Sequence, residues 1–267
     1  MQLHRHVAIL AVFATAALAA ASQSLAPIRS RCEIYPNDQT GKNDHTGELS
    51  IQIHDSDCPE DRHCGSSFSS ESTDRFTGIT AADLDRDGSQ LTATLAGEAG
   101  TFTCTGTVHD HELVGKSLFN PNSAFVDRMG QLGFTGFDSE KLQAYTFLNV
   151  TSDYARSLQQ AHINGITIDN LIALRIFHID PAYPQAFVSM GYEQPDADKL
   201  IALKVQGVNA EEVRQIRALG FQPNLDELIQ IRIFHITPEF IHRMQDRGFK
   251  NLTIAKLVQI RVFKLAE

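Results

Sequence analysis

Apolar and polar residues alternate through much of the first half of the chain. Leu49, Ile51 and Ile53 are separated by polar residues, and Leu91, Ala93 and Leu95 by Thr92 and Thr94. A period of two turns one face of a strand to a core and the other to water. Phe102, Cys104, Gly106 and Val108 continue the pattern, and Leu113 to Phe119 follow as a further strand. The turns between these runs are rich in Asp, Asn and Gly, as at Asp87-Gly88 and His109 to Glu112. The segment between Phe76 and Leu84 reads as a short helical excursion. The pattern predicts a small antiparallel β-domain, a sandwich or half-open barrel, ending near residue 120.

Beyond residue 120 the period changes. Leu142, Leu171, Leu200, Leu228 and Leu257 mark a repeat with spacings of 29, 29, 28 and 29 residues. Apolar residues recur at fixed offsets from these markers, as at Tyr145, Leu174, Leu203, Ile231 and Ile260. Four residues before each marker stands Asp138, Thr167, Asp196, Asn224 or Thr253, all able to cap a helix N-terminus. A second set, Asn122, Thr151, Asp180, Asn209 and Thr237, opens another helix in each repeat, with Pro181 and Pro238 in the first turn. Gly133, Gly191, Gly220 and Gly248 close that helix; His162 takes the place in one repeat, where a different turn is expected. In four repeats this helix pairs apolar positions four apart: Phe125/Met129, Tyr154/Leu158, Tyr183/Phe187 and Phe240/Met244. Helices of about ten residues are marginal alone, so neighbouring units must bury each other's faces. The expected fold class is α+β: a small antiparallel β-domain over 22–120, then an α-helical solenoid of about five two-helix units over 121–267.

The N-terminus changes the picture by placing the protein. Arg5 with its flanking histidines, the apolar run from Val7 to Ala17 and the small residues Ala19-Ala20-Ala21 form a secretory signal over 1–21. That run is too short to span a bilayer, and no other stretch reaches the ~20 apolar residues required. The expected location is periplasmic or secreted, with no membrane span. Four cysteines in an exported chain read as two disulfides with three possible connectivities. The favoured pairing is Cys58 with Cys64, and Cys32 with Cys104. The net charge of −9 is unevenly spread: residues 22–120 hold 7 basic and 16 acidic side chains, the repeats 15 and 16. Such an acidic domain argues against a nucleic-acid partner.

Complete catalytic motifs are missing from the sequence. Asp83, Asp85, Asp87 and Gly88 imitate the start of a calcium loop, but Thr94 stands where the twelfth-position Glu belongs. Gly115-Lys116-Ser117 resembles the end of a phosphate loop whose first Gly would fall at Asp110. The cysteine spacing, with His63 or His109 and His111 as further ligands, matches no zinc pattern. His109-Asp110-His111-Glu112 is the densest ionisable cluster, and a metal-dependent hydrolase using His109, His111 and Glu112 is the alternative to a non-catalytic reading. In the repeats Arg175, Lys204, Arg232 and Arg261 share the position four after the marker, with Thr146 in the first unit. On a solenoid they form a ridge able to grip carboxylates or phosphates, or one paired with acids of adjacent units. His178 and His235 also share a position, interrupted by Gly207 and Lys264.

Two stretches carry a resemblance. One is Glu98-Ala99-Gly100-Thr101-Phe102 followed by Gly106, Gly115, Phe119 and Pro121; the other is Leu-Ile-Ala-Leu-Arg-Ile-x-x-Ile-x-Pro-x-Tyr at 171–183 with the Gly-Phe/Tyr closures. Residues 75–267 resemble a family of uncharacterised exported bacterial proteins of acidobacterial type. They are also similar to the repeats behind membrane metallopeptidases of the beta-lactam-sensor type. The resemblance implies a β-domain plus helical repeats with a sensing or interaction role, and it carries over no catalytic residues. No cofactor is expected. The metallopeptidase His-Glu-x-x-His motif is absent. The expectation is a non-catalytic protein whose repeats bind another envelope protein.

Overall fold

The computed structural model describes residues 25–37, 47–55 and 67–265. The signal segment 1–21, the Cys58–Cys64 pair and His63 lie outside the described residues. Seven antiparallel strands make one sheet: β1 (Ile28–Pro36), β2 (Glu48–Asp55), β3 (Ser67–Ser72), β4 (Phe76–Thr77), β5 (Gln90–Gly97), β6 (Gly100–His109) and β7 (Glu112–Pro121). Their order is β3-β2-β1-β7-β6-β5-β4. Every neighbour is also a neighbour in sequence except β1 and β7, whose pairing sets Cys32 opposite Gly115 and Ile34 opposite Leu113. The edge strands β3 and β4 are joined by a single 3-10 turn, Thr73–Arg75. The sheet is therefore curled until its edges nearly meet. The region expected as a helical excursion holds the short strand β4 and a second 3-10 turn, Ala81–Asp83.

The disulfide Cys32–Cys104 explains part of the curl. It joins β1 to β6 across the intervening β7, with Cα atoms 6.0 Å apart. Alternate strands of a flat sheet stand roughly 9.5 Å apart, so β1 and β6 have folded toward each other over β7. Gly115 stands between them in register with both Cys32 and Gly106. A Cβ on Gly115 would come within 2.1 Å of the Thr105 carbonyl oxygen, and one on Gly106 within 2.0 Å of that of Val114. The facing glycines thus let β6 and β7 approach closely at this point. Inward residues Ile34, Leu49, Ile51, Leu95, Phe102, Leu113 and Phe119 fill the interior, as the alternation requires. A disulfide is also what an oxidising compartment sustains.

Ten α-helices follow among the described residues: α1 (Ser123–Gln131), α2 (Ser139–Phe147), α3 (Ser152–Gln160), α4 (Asn170–Ile176), α5 (Ala182–Val188), α6 (Ala197–Val205), α7 (Ala210–Ala218), α8 (Leu225–Ile233), α9 (Pro238–Asp246) and α10 (Ile254–Val262). All ten expected capping side chains accept a backbone N–H near the start of a helix. Asp138 takes that of Lys141, Thr151 that of Tyr154 and Asn224 that of Glu227, for example. Thr167 and Asn170 exchange such bonds, and α4 starts only at Asn170. His162 was expected to turn differently from the glycines. It takes the same left-handed conformation, at φ +56° against +84° to +89° for the four glycines.

The five marker leucines are all buried. Even-numbered helices from α4 to α10 each touch the next even one. One apolar core runs from the sheet through the helices to Leu200, and a second joins Phe187 to Ile260. None of the described helices is long and apolar enough to cross a membrane.

Replacing Cys32 and Cys104 together by Ser opens a loop of 72 residues. Urea unfolding of this variant is expected to show a loss of about 4 kcal/mol, the chain entropy released to the unfolded state. A loss below about 1 kcal/mol would mean that the curl is held by packing alone.

Candidate functional site

The even helices carry two adjacent repeat positions near their C-terminal ends. The first holds the basic row: Thr146, Arg175, Lys204, Arg232 and Arg261. The second is the last residue of each helix: Phe147, Ile176, Val205, Ile233 and Val262.

The basic row is tied into the fold rather than held out in water. Arg175 Nε donates to the Leu148 carbonyl at 3.0 Å, Arg232 Nε to that of Gln206 at 2.8 Å, and Arg261 Nε to that of Phe234 at 3.2 Å. Each acceptor is the C-cap residue of the preceding even helix. A cation there meets both unsatisfied carbonyls and the negative end of the helix dipole. Each basic group also meets one residue of its own unit. Arg175 lies 5.4 Å from the Tyr154 ring centre, Lys204 4.7 Å from that of Tyr183, and Arg261 4.0 Å from that of Phe240. In the fourth unit Glu212 replaces the ring and pairs with Arg232 at 3.4 Å. Tyr154 and Tyr183 donate their hydroxyls to the carbonyls of Ile179 and Val208. Burial pushes both phenols up to about 12, so both remain donors at neutral pH.

Odd helices use the same device with residues outside the expected row. Arg217 donates to the Met190 carbonyl at 2.7 Å and stacks on Tyr192, while Gln159 donates to that of Leu132 at 2.8 Å. The two histidines that share a position are explained by backbone shape. Asn149, His178, Gly207, His235 and Lys264 all have φ between +50° and +70° at the close of an even helix. Side-chain chemistry is not what that column has in common.

At the first unit the sheet takes the place of a neighbour. Arg75 donates to the carbonyls of Thr146 and Phe147 at 2.9 and 2.7 Å and pairs with the buried Glu71. The Phe102 ring lies edge-on to Phe147, their centres 5.1 Å apart. The β5–β6 turn reaches the next helix: Glu98 accepts from the Ser152 N–H at 3.1 Å and its hydroxyl at 2.7 Å. Burial alone would raise the Glu98 carboxyl, but the Ser152 bonds and the Arg128 charge hold it below the ordinary range.

The second position divides sharply. Phe147, under the sheet, is 6% exposed, whereas Ile176, Val205, Ile233 and Val262 are 49%, 50%, 48% and 51% exposed. The row ends beside a pocket of about 170 Å³ between α9 and α10. Phe240, Met244 and Ile260 line it together with Arg243, Arg247, Arg261 and Lys264.

The other ionisable candidates meet at one end of the sheet, beyond the β6–β7 hairpin. Asp110 and His111 form the two-residue turn between β6 and β7, with φ of +48° and +65°. This turn faces the aspartate loop, where His111 Nδ1 lies 3.1 Å from Asp85 and His109 Nδ1 3.7 Å from Asp87. These are two exposed pairs, each worth little in water. Asp83 points elsewhere, accepting the N–H and hydroxyl of Thr80 at 2.7 Å each and pairing with Arg86. Burial, then the charges of Glu33 and Asp110, raise the Glu112 carboxyl. Among the described residues, no group of three or more His, Cys, Asp or Glu converges as a metal site would.

Two substitutions test the ties. Lys204→Arg supplies the guanidinium that the α4 C-cap lacks and is expected to raise stability by about 1 kcal/mol in urea unfolding; no gain would deny the ridge its capping role. Glu98 has a lowered folded pKa, so its contribution is complete above about pH 4.5 and fades as pH falls through the folded value. Glu98→Gln should cost about 1 kcal/mol at pH 7 and flatten the acid limb of the stability–pH curve. An unchanged limb would remove Glu98 from the interface.

No protein-family model, curated protein or solved structure matches the chain.

Proposed function

We propose that the chain is an exported, non-catalytic interaction protein. In this reading its five helix pairs stack as a solenoid whose even-helix ends bind another envelope protein. The observation that carries it is the open apolar position. One repeat position is buried under the β-domain in the first unit and half exposed in the four that follow. Scattered surface aliphatics are normal, but four at one repeat position next to a fixed basic row form a strip. The Cys32–Cys104 bond agrees with a periplasmic or secreted location. The resemblance of residues 75–267 to exported repeat proteins with a sensing or interaction role points the same way.

A photo-activated benzoylphenylalanine placed at Val205 or Ile233, in chain incubated with the envelope fraction of its source, tests this reading. Discrete protein adducts are expected from both positions and none from the exposed Glu211. No adducts at all, or the same ones from Glu211, would sink it.

A further inference from the structure

Resting on the interaction reading, we propose that the strip Ile176–Val205–Ile233–Val262 binds an extended, acidic segment of a partner polypeptide with an apolar side chain at every third residue. The strip continues an interface that already exists. Its first member, Phe147, takes the Phe102 ring of the β-domain, and Ile176 holds the same position one unit on. Among the described residues, the next four positions are half exposed where Phe147 is covered.

Spacing selects the form of the occupant. The even helices from α4 to α10 are successive neighbours, and packed helices stand about 8–10 Å apart. A polyproline-type segment rises ~3.1 Å per residue with three residues per turn, so every third side chain returns to one side after ~9 Å. Such a segment drops one apolar group on each helix end. A basic residue stands immediately before each apolar one in sequence, and the exposed Phe263 and Leu265 extend the strip at its far end. Even with the exposed Phe263 and Leu265 beside Val262, six partly exposed apolar side chains fall short of the ~800 Å² per partner of a stable dimer, which argues against a second copy.

Charge selects the composition. Arg175 and Arg261 are fixed through Nε, so their positive charge is held in place beside the strip, whereas that of Arg232 is also paired with Glu212. At its far end the row enters the pocket that Arg243 and Arg261 help to line. Carboxylates on the residues flanking each apolar one would face this row.

The probe is a fluorescein-labelled peptide of five Leu-Pro-Glu repeats, titrated against the mature chain by anisotropy. Saturable binding is expected, weakened about tenfold or more when the same residues are scrambled, when Glu is replaced by Gln, or in roughly 0.3 M salt. Val205→Asp with Ile233→Asp should weaken it as much, with an unchanged thermal melt showing that the variant folds. The scrambled peptide needs no variant and keeps the test independent of folding. Equal binding of ordered and scrambled peptides overturns the proposal, as does tighter binding of an acidic heptad helix. A dimer of the free chain that Val205→Asp dissociates, seen by sedimentation, overturns it in favour of a second copy. Adducts at Val205 and Ile233 without peptide binding would leave the interaction surface standing and remove only the extended segment. Loss of both removes both.

Discussion

Short helices have too many ends. A helix of nine residues leaves its first four N–H and last four C=O groups without partners inside the helix, nearly as many groups as it satisfies. Ten such helices in a row make end satisfaction the constraint that the second half of this protein must meet. Side-chain caps supply it at every start. At the closing ends the answer is non-local: a donor from the next unit, usually a guanidinium, reaches back to the C-cap carbonyl. Arg175, Arg232, Arg261 and Gln159 all do this, and Arg217 reaches Met190, one residue beyond a C-cap. Each bond joins two units as well as closing one helix, so the repeats adhere through backbone ends as well as through buried leucines.

The same constraint explains which features were legible in the sequence. Caps act within three residues, and all ten could be read from residue type and spacing. Strand alternation is equally local, and Cys32 with Cys104 was the favoured pairing because it ties the first segment to a later strand. The basic row was visible as a column, but its role was not. The acceptors are backbone carbonyls 26 or 27 residues earlier, and a carbonyl leaves no mark in a sequence. The left-handed column was hidden for a related reason: Asn149, His178, Gly207, His235 and Lys264 share a φ rather than a chemistry. Closure of the sheet through β1 and β7 depends on partners some 80 residues apart, beyond any local pattern. The apolar position at the helix ends was present in the sequence at every repeat. What could not be read was that one member is covered and four are open, because the cover comes from the other domain.

Cation and ring positions also constrain each other. A guanidinium drawn toward a carbonyl in the preceding unit passes over the residue three after the cap of its own unit's odd helix. Tyr154, Tyr183 and Phe240 present a π-face there. Tyr is the more useful ring, because its hydroxyl reaches a further carbonyl in the turn that follows the even helix. Where Glu212 stands instead, the guanidinium gains an ion pair and the turn loses that hydroxyl. The two columns therefore serve one purpose, holding a cation at a helix end, and either aromatic or acidic chemistry meets it.

The break in the basic row at Thr146 follows from the same reasoning. A guanidinium at this position acts by reaching the preceding even helix, and the first unit has none. Thr146 instead returns its hydroxyl to Leu142 in its own helix at 3.0 Å. Its small side chain lets the β5–β6 turn close in, so that a Cβ on Gly97 would already lie 3.3 Å from Thr146 Cγ2. An Arg here would be a charge without a carbonyl, driven into the base of the sheet. The cation that this junction does need comes from the other side, as Arg75, and it closes the same helix end that Arg175 reaches from the second unit. The β-domain thus caps the row of helices at its first end by imitating a unit, with Phe102 over Phe147 and Glu98 at the start of α3. The last residues of the four later even helices, Ile176, Val205, Ile233 and Val262, stay half exposed.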